Sequence, residues 1–577
     1  MRSLTLLIVV IACGISVQVR KKSILANSKL LMEKLCVKSE RESNKGEPSI
    51  AVIGAGMSGL SAARRLIETG RTDIDIYEGL DRIGGRVHPV PYYGGYLQMG
   101  AQYINGANNP IYKIAAKLGV ISEIVSDTAH LENPDYLIGT QPIAREDIEL
   151  FANFVDPLDP KYRKLAKEHD LLSRVYTLKS IFMEDYSRFL KQNNITGARR
   201  KVFDALTRSY RSYWEFEWAA DWADLSPRVL TEFNDRGTEG ESFLTNKLGY
   251  KAILDHLRLA IANTMLHLNT TITNIEHSPE GVVLATSHGK IAKRYDYVIV
   301  TSSLGHLKKY HHRLFTPPLP RQKIEAIEKI GQLGKDIQSF GGSCKIFFRW
   351  EQPWWNNHSY SIIPLPVEGM ARDNIDPFER ELTTLQVLDW EPNTLTAWVA
   401  GAGQRVMDNM SDEEIKDRIT KLIRDMKNDQ DIPAPSEIIR AKLTKNELLL
   451  GSYSYMSLAQ ARARISHSRL AIPIKHYHRP RVLFAGEATH HRLFQTAIGA
   501  YLSGRREADR LMTDWDTHSA AHSSNVDWQD STSTGFKESN IASELENHSR
   551  RSTDVIIPRK PAVLCRQGLH YTVTSDP

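Results

Sequence analysis

The stretch Ser49-Ile-Ala-Val-Ile53-Gly54-Ala-Gly56-Met-Ser-Gly59 decides how this chain is read. A short apolar, β-branched run ends in G-x-G-x-x-G. A helical pattern follows (Leu60, Ala63, Leu66, Ile67), closed by Gly70, and then a second strand over Asp73–Tyr77. Gly54 suits the tight turn, Gly56 lets the backbone approach a pyrophosphate, and Gly59 lets helix and strand pack closely. The pyrophosphate then sits at the positive end of the helix. Glu78, 24 residues after Gly54, is placed to accept hydrogen bonds from a ribose, and a carboxylate there argues against a 2′-phosphate and so against NADP.

Outward from this motif, Glu78-Gly-Leu-Asp-Arg82-Ile-Gly84-Gly85-Arg86 offers a second close backbone approach flanked by two arginines, suited to a buried diphosphate. A middle block reads as a helix (Ala252–Ile261), strands near Thr271–Ile275 and Val282–Ala285, and the apolar strand Tyr297–Thr301. A third block pairs a strand Val482–Ala485 with a helix from about Gly499 to Met512. Longer, more helical stretches lie between them, about 119–246 and 318–450.

The chain has 577 residues, 41% hydrophobic and 25% charged, which allows several domains and excludes disordered, collagen-like and small disulfide-scaffold classes. Its net charge is +6: residues 1–47 carry +5, residues 48–512 carry +4 and residues 513–577 carry −3. The surplus is mostly leader and linker, so no nucleic-acid footprint is expected. The four cysteines, Cys13, Cys36, Cys344 and Cys565, are too far apart for a zinc site, and no metal is expected. The apolar run Leu4–Val17, preceded by Arg2 and followed by Arg20-Lys-Lys22, reads as a signal peptide over 1–19, the alternative being an uncleaved anchor or a cytoplasmic chain. Five N-x-S/T sequons (Asn194, Asn269, Asn357, Asn409, Asn547) are compatible with the secretory route. Residues 20–47 read as a linker, and the Ser/Thr/His-rich segment 513–577 as a disordered tail.

Around Glu78–Arg86, Arg481-Val-Leu-Phe-Ala-Gly-Glu487-Ala-Thr-His490 and Gly499-Ala-Tyr-Leu-Ser-Gly-Arg-Arg-Glu-Ala508, the sequence resembles the flavin-containing amine oxidases, most closely the polyamine oxidases. Further matches, in order from about 48 to 512, are Gly100-Ala101-Gln102, Val298–Gly305, Pro317–Pro320, Lys345-Ile-Phe, Ser411–Glu414 and Gly451–Tyr455. The resemblance implies an α/β fold. A Rossmann-like FAD domain (48–118, 247–317, 451–512) would be interrupted by an inserted mixed-sheet and helical substrate domain (119–246, 318–450). It implies non-covalent FAD, since Ser452 and Ser454 stand where monoamine oxidases carry the linking cysteine. Gly54, Gly56, Gly59 and Glu78 would hold the ADP half, Arg86 the diphosphate and the backbone of Ile272 the adenine, with Gly100, Ala101, Gln102 and Glu487 also against the cofactor. The helix starting at Thr496–Ala497 would present its positive end to the flavin N1–C2=O edge.

For catalysis the resemblance points to Lys345, acting at flavin N5 through a water, with Lys335 the fallback should the loop Gly331–Gly342 shift the register. For a small-molecule amine it points to Trp214-Glu-Phe-Glu217-Trp218, with Glu217 pairing an ammonium and Trp218 offering a cation–π face. Four positions depart from the pattern. Asn105 stands in place of a histidine, the tryptophan usual before Gly451-Ser-Tyr-Ser is absent, Leu493-Phe494 leaves one aromatic of two on the flavin face, and Gln495-Thr-Ala-Ile498 replaces Ser-Thr-Thr-His. They bear on substrate identity and turnover and leave the FAD site untouched. Amine oxidation with O2 reduced to hydrogen peroxide is therefore expected. L-amino-acid or monoamine oxidation, and FAD binding without turnover, stand as alternatives.

Overall fold

The computed structural model describes residues 47–126, 135–138, 141–234, 241–331, 341–355, 361–365 and 377–523. The leader, residues 20–46 of the linker, Lys335 and residues 524–577 lie outside the described residues. Residues to Met512 form one compact unit and those from Thr513 a second.

The opening pattern folds as its periodicity dictates. Strand Ile50–Ile53 is buried along its whole length because parallel neighbours flank it on both edges, Ile74–Tyr77 and Tyr297–Val300. A six-stranded sheet results, ordered Leu266–His267, Ile74–Tyr77, Ile50–Ile53, Tyr297–Val300, Arg479–Phe484, Ile474–His476, parallel except for the last pair. Its strands come from residues within 48–118, 247–317 and 451–512. Helix Met57–Glu68 crosses closely with the last long helix, Ala497–Ser523: a Cβ on Gly504 would lie 2.1 Å from the Ser58 carbonyl oxygen, and Ser61 Oγ donates to the Tyr501 carbonyl at 2.7 Å. That last helix continues past Met512 to Ser523, so the segment expected to be an unstructured tail from 513 begins helical.

A seven-stranded sheet is ordered Glu437–Arg440, Ser343–Arg349, Glu391–Ala400, Leu382–Leu388, Ser361–Leu365, Asp135–Ile138, Gln141–Pro142. Its pairs are antiparallel except that of Ser361–Leu365 with Asp135–Ile138. Helices Arg145–Val155, Leu158–Glu168, Leu178–Gln192 and Gly197–Trp218 build a separate aromatic-rich core, including Phe182, Tyr186, Trp214 and Trp222. Strand alternation sorts Ser343–Arg349: Cys344, Ile346 and Phe348 enter one hydrophobic core, while Phe347 packs with Tyr92, Leu97 and Met99 in another. Lys345 shares the face of Phe347, and this places its amine.

Candidate active site

A cavity of about 350 Å³ runs between the two large sheets. At one end the glycine-rich turns do what their missing Cβ atoms permit. Gly54 has φ +102°, and a Cβ on Gly59 would lie 1.9 Å from the Gly54 carbonyl oxygen, so Gly59 serves packing and does not itself line the cavity. Gly56 bridges Gly84 backbone to backbone, yet a Cβ there would meet nothing closer than 3.8 Å. The space above it is a cradle open to an occupant. Gly56 caps helix Met57–Glu68 without a side-chain cap, and Met57 and Ser58 line the cavity at the helix's positive end.

Glu78 is buried and accepts from the backbone N–H of Ala55 at 2.7 Å and of Leu80 at 2.9 Å. Burial outweighs those bonds and raises its pKa above the usual carboxylate value. Arg82 does not line the cavity: it donates to the Ile83 and Gly85 carbonyls and holds its own loop closed. Arg86 does line it, and donates to the Ser452 carbonyl at 2.6 Å and to Glu487 Oε1 at 2.9 Å. Glu487 Oε2 accepts from Ser454 Oγ at 2.6 Å and from the Gln495 N–H at 2.7 Å, so this carboxylate locks Arg86 to the turn before the last helix. Thr496 caps that helix by accepting from the Gly499 N–H at 2.9 Å. Gln495, at φ +65°, carries on the cavity wall a buried Oε1 with no hydrogen-bond partner among the described residues, an acceptor that a bound group can satisfy. Gly100, Ala101, Gln102, Ile272, Thr496 and Ala497 also line the cavity.

At the other end stands Lys345, 1% exposed, whose Nζ donates to Gln102 Oε1 at 2.8 Å and lies 4.8 Å from the Trp398 ring centroid. Trp398 is its direct cross-strand partner. Burial holds the lysine pKa well below 10.5. Tyr103 stacks on Trp398 at 6.2 Å and Phe216 meets it edge-on at 4.6 Å. Tyr453 donates its hydroxyl to the Phe216 carbonyl at 2.7 Å. Glu217 and Asn105 complete this wall.

Two expected site residues are elsewhere. Trp218 is buried in the helical core against Phe233, 5.5 Å between centroids, because it shares a helix face with Trp214 four residues earlier. Phe494, fully buried, stacks on His467 at 4.0 Å and faces away from the cavity. Phe216, Trp398, Tyr103 and Tyr453 supply the aromatic surface instead. Trp398 had only the alternation of Leu395-Thr-Ala-Trp-Val399 to mark it, which gives a strand and not its partner.

Behind the wall, Arg211 donates to Glu215 at 2.8 Å and to Glu381 at 2.8 Å, and Arg380 donates to Glu381 at 2.8 Å. Both carboxylates are buried, and burial with the neighbouring Glu381 charge pushes the Glu215 pKa well up. This network fixes the helix end that carries Phe216 and Glu217. No group of three His, Cys, Asp or Glu suited to a metal occurs among the described residues, and none of their helices is long and apolar enough to cross a membrane.

The family model described as flavin containing amine oxidoreductase matches residues 57–512. The chain is 27% identical over 503 residues to the peroxisomal N(1)-acetyl-spermine/spermidine oxidase of Bos taurus, covering 81% of this chain and 95% of the bovine one. It is 27% identical over 496 residues to polyamine oxidase 1 of Zea mays (81% and 90% covered), and 25% identical over 541 residues to probable polyamine oxidase 5 of Arabidopsis thaliana (80% and 98%). With a family match across nearly the whole compact unit, the chain belongs to the flavin-containing amine oxidoreductases, enzymes whose cofactor is FAD.

Proposed function

We propose that the protein oxidises a polyamine-type amine, bound FAD accepting a hydride at N5 from the carbon α to nitrogen and O2 then taking the two electrons with two protons to give hydrogen peroxide. The imine left behind adds water and splits into an aldehyde and an amine. The observation that carries this reading is a buried Lys345 in an aromatic wall, at the end of a cavity whose other end is a glycine cradle.

In this reading the six-stranded sheet is the Rossmann-like cofactor domain and the seven-stranded sheet with its helices the substrate domain. The first turn of Met57–Glu68 and Arg86 hold the diphosphate, Glu78 takes ribose hydroxyls, and Ile272 presents its backbone to the adenine. The Thr496-capped helix supports negative charge on the ring's carbonyl edge. Lys345 Nζ, whose pKa burial holds well below the usual lysine value, holds a water or accepts a proton beside the ring. Trp398, Phe216 and Tyr103 exclude water around the reacting carbon and keep the amine unprotonated, while Glu217 pairs with a second, distal ammonium. Ser452 and Ser454 stand where monoamine oxidases carry the linking cysteine, so FAD is held here without that bond, and denaturation should release it intact. The leader Leu4–Val17 routes the chain to the secretory pathway, which N-terminal sequencing of secreted protein tests.

The decisive experiment mixes oxidised holoenzyme anaerobically with spermine, spermidine, N1-acetylspermine, tyramine or L-leucine and follows the visible flavin band. Bleaching by the polyamines is expected. Bleaching by tyramine or L-leucine alone reassigns the substrate, and bleaching by none leaves an FAD-binding protein without turnover.

A further inference from the structure

Next to Glu78 the cavity has walls that take no part in the chemistry proposed above. At Gly79 a Cβ would lie 2.6 Å from Leu448 Cδ1 and 2.8 Å from Thr271 Oγ1, so these two side chains close on the backbone directly after the Glu78 carboxylate. Ser303 shares its hydroxyl proton between the carbonyls of Leu448 and Leu449, at 3.0 and 2.8 Å, and accepts from the His306 N–H at 3.1 Å. It thereby ties the start of helix Leu304–Leu314 to the segment that meets Gly79. Thr271, Ile272, Ser303, His306, Leu448 and Leu449 all line the cavity.

His306 is the aromatic member of this group and is only 8% exposed. Its Nδ1 lies 2.8 Å from the Glu447 carbonyl, an oxygen that can only accept, so Nδ1 carries a proton. The ring also packs on Tyr310, 4.8 Å between centroids, which fixes its orientation. Burial outweighs the bond to Glu447 and holds the imidazole pKa below the usual histidine value, with the cations Arg313 and Lys309 acting in the same direction. In a neutral ring protonated at Nδ1, Nε2 is a bare acceptor. No described residue donates to it, and it retains accessible surface. A dinucleotide with its ribose at Glu78 brings its base to these walls. Adenine carries one donor on its outer edge, the exocyclic amino group, beside ring nitrogens that only accept. A fixed acceptor attracts that amino group and repels the bare ring nitrogens.

We propose that His306 selects adenine in the dinucleotide, its Nε2 accepting from the exocyclic amino group of the base. This assignment rests on the ribose lying at Glu78 and the adenine at Ile272, as proposed above, and is independent of which amine is oxidised. FAD is removed from the full-length protein, and the apoprotein is titrated with FAD, with the analogue whose adenine is replaced by unsubstituted purine, and with FMN, each followed by flavin fluorescence. Wild type should bind FAD about tenfold more tightly than the purine analogue, the cost of leaving a buried acceptor without its donor. In His306→Leu the affinity for FAD should fall about tenfold while that for the analogue stays within about twofold of wild type, so the discrimination disappears. Because discrimination is a ratio within one protein, any loosening of the fold in the variant cancels. Should the leucine variant not fold, His306→Phe fills the same space without an acceptor and serves in the same measurement. A wild type that binds the two dinucleotides alike, or a variant that keeps the wild-type ratio, overturns the proposal. A wild type that binds FAD no better than FMN overturns it together with the placement of the ribose at Glu78.

Discussion

Replacing Lys345 with Met tests the catalytic end of the site through two quantities that move independently. The amine is 1% exposed and its hydrogen bond in the structure is to Gln102 at 2.8 Å. Burial lowers its pKa well below 10.5, so between that lowered value and 10.5 the unfolded chain binds one proton more than the folded one. Stability contributed by this position therefore rises with pH across that window, by up to about 1.4 kcal/mol per pH unit, and is smallest on the acid side. Methionine has no proton to lose. The variant leaves Gln102 Oε1 without its donor, a cost of about 1–3 kcal/mol that does not change with pH. The melting temperature of Lys345→Met relative to wild type should therefore be highest on the acid side of that window and fall steadily as pH approaches 10. FAD should stay bound, because the glycine cradle and Arg86 are untouched. Turnover should drop about 10²- to 10⁴-fold, the usual worth of a positioned proton-transfer group. Thermal melts across pH, with stopped-flow measurement of both half-reactions, give the answer. A melting difference flat in pH shows that Lys345 is charged in the fold, and wild-type rates in both half-reactions refute its catalytic role.

Two glycines should respond in opposite ways. Gly59→Ala drives a Cβ to 1.9 Å from the Gly54 backbone and should cost several kcal/mol, read as loss of soluble protein. Gly56→Leu has no close backbone contact to violate, and should fold and melt like the wild-type apoprotein while failing to retain FAD on a desalting column. For the amine, Trp398→Leu should raise KM and lower kcat at least tenfold, whereas Trp218→Phe should shift the melting temperature and leave KM within about twofold. A KM change from Trp218→Phe alone would put that ring back at the substrate. Arg211→Ala leaves Glu215 and Glu381 buried with half their compensation and should destabilise by about 3–5 kcal/mol. Because Glu215 is then driven toward its neutral form, the loss should be smaller at acid pH, a trend that melts between pH 5 and 8 would reveal.

The two ends of the cavity differ in how far the sequence reveals them, and the reason is the range of the contacts that build each. Gly54, Gly56 and Glu78 act through a turn, a helix start and the next strand, all within one short stretch, so spacing alone carries their geometry. The substrate end is assembled from distant strands and a helix end. Lys345 can be read as buried from its apolar neighbours, yet that it faces Trp398 follows only from the register Ser343↔Ala400, which no local pattern encodes. The helix end was legible in part. The resemblance offers Trp218 as a ligand contact, whereas helical periodicity puts Trp214 and Trp218, four residues apart, on one face and Phe216 on another. Phe494 had no such internal check, because it sits in an irregular turn whose direction is set by Glu487 accepting from the Gln495 N–H. The ends meet at the bond from Lys345 to Gln102. There a residue read beside the cofactor through Gly100-Ala-Gln102 orients the residue read as catalytic, and the coupling appears only once the loop of Gln102 and the strand of Lys345 are brought together. If that bond is the coupling, Gln102→Leu should retain FAD and shift the pH profile of turnover as Lys345 loses its acceptor. An unchanged profile would make the contact packing alone.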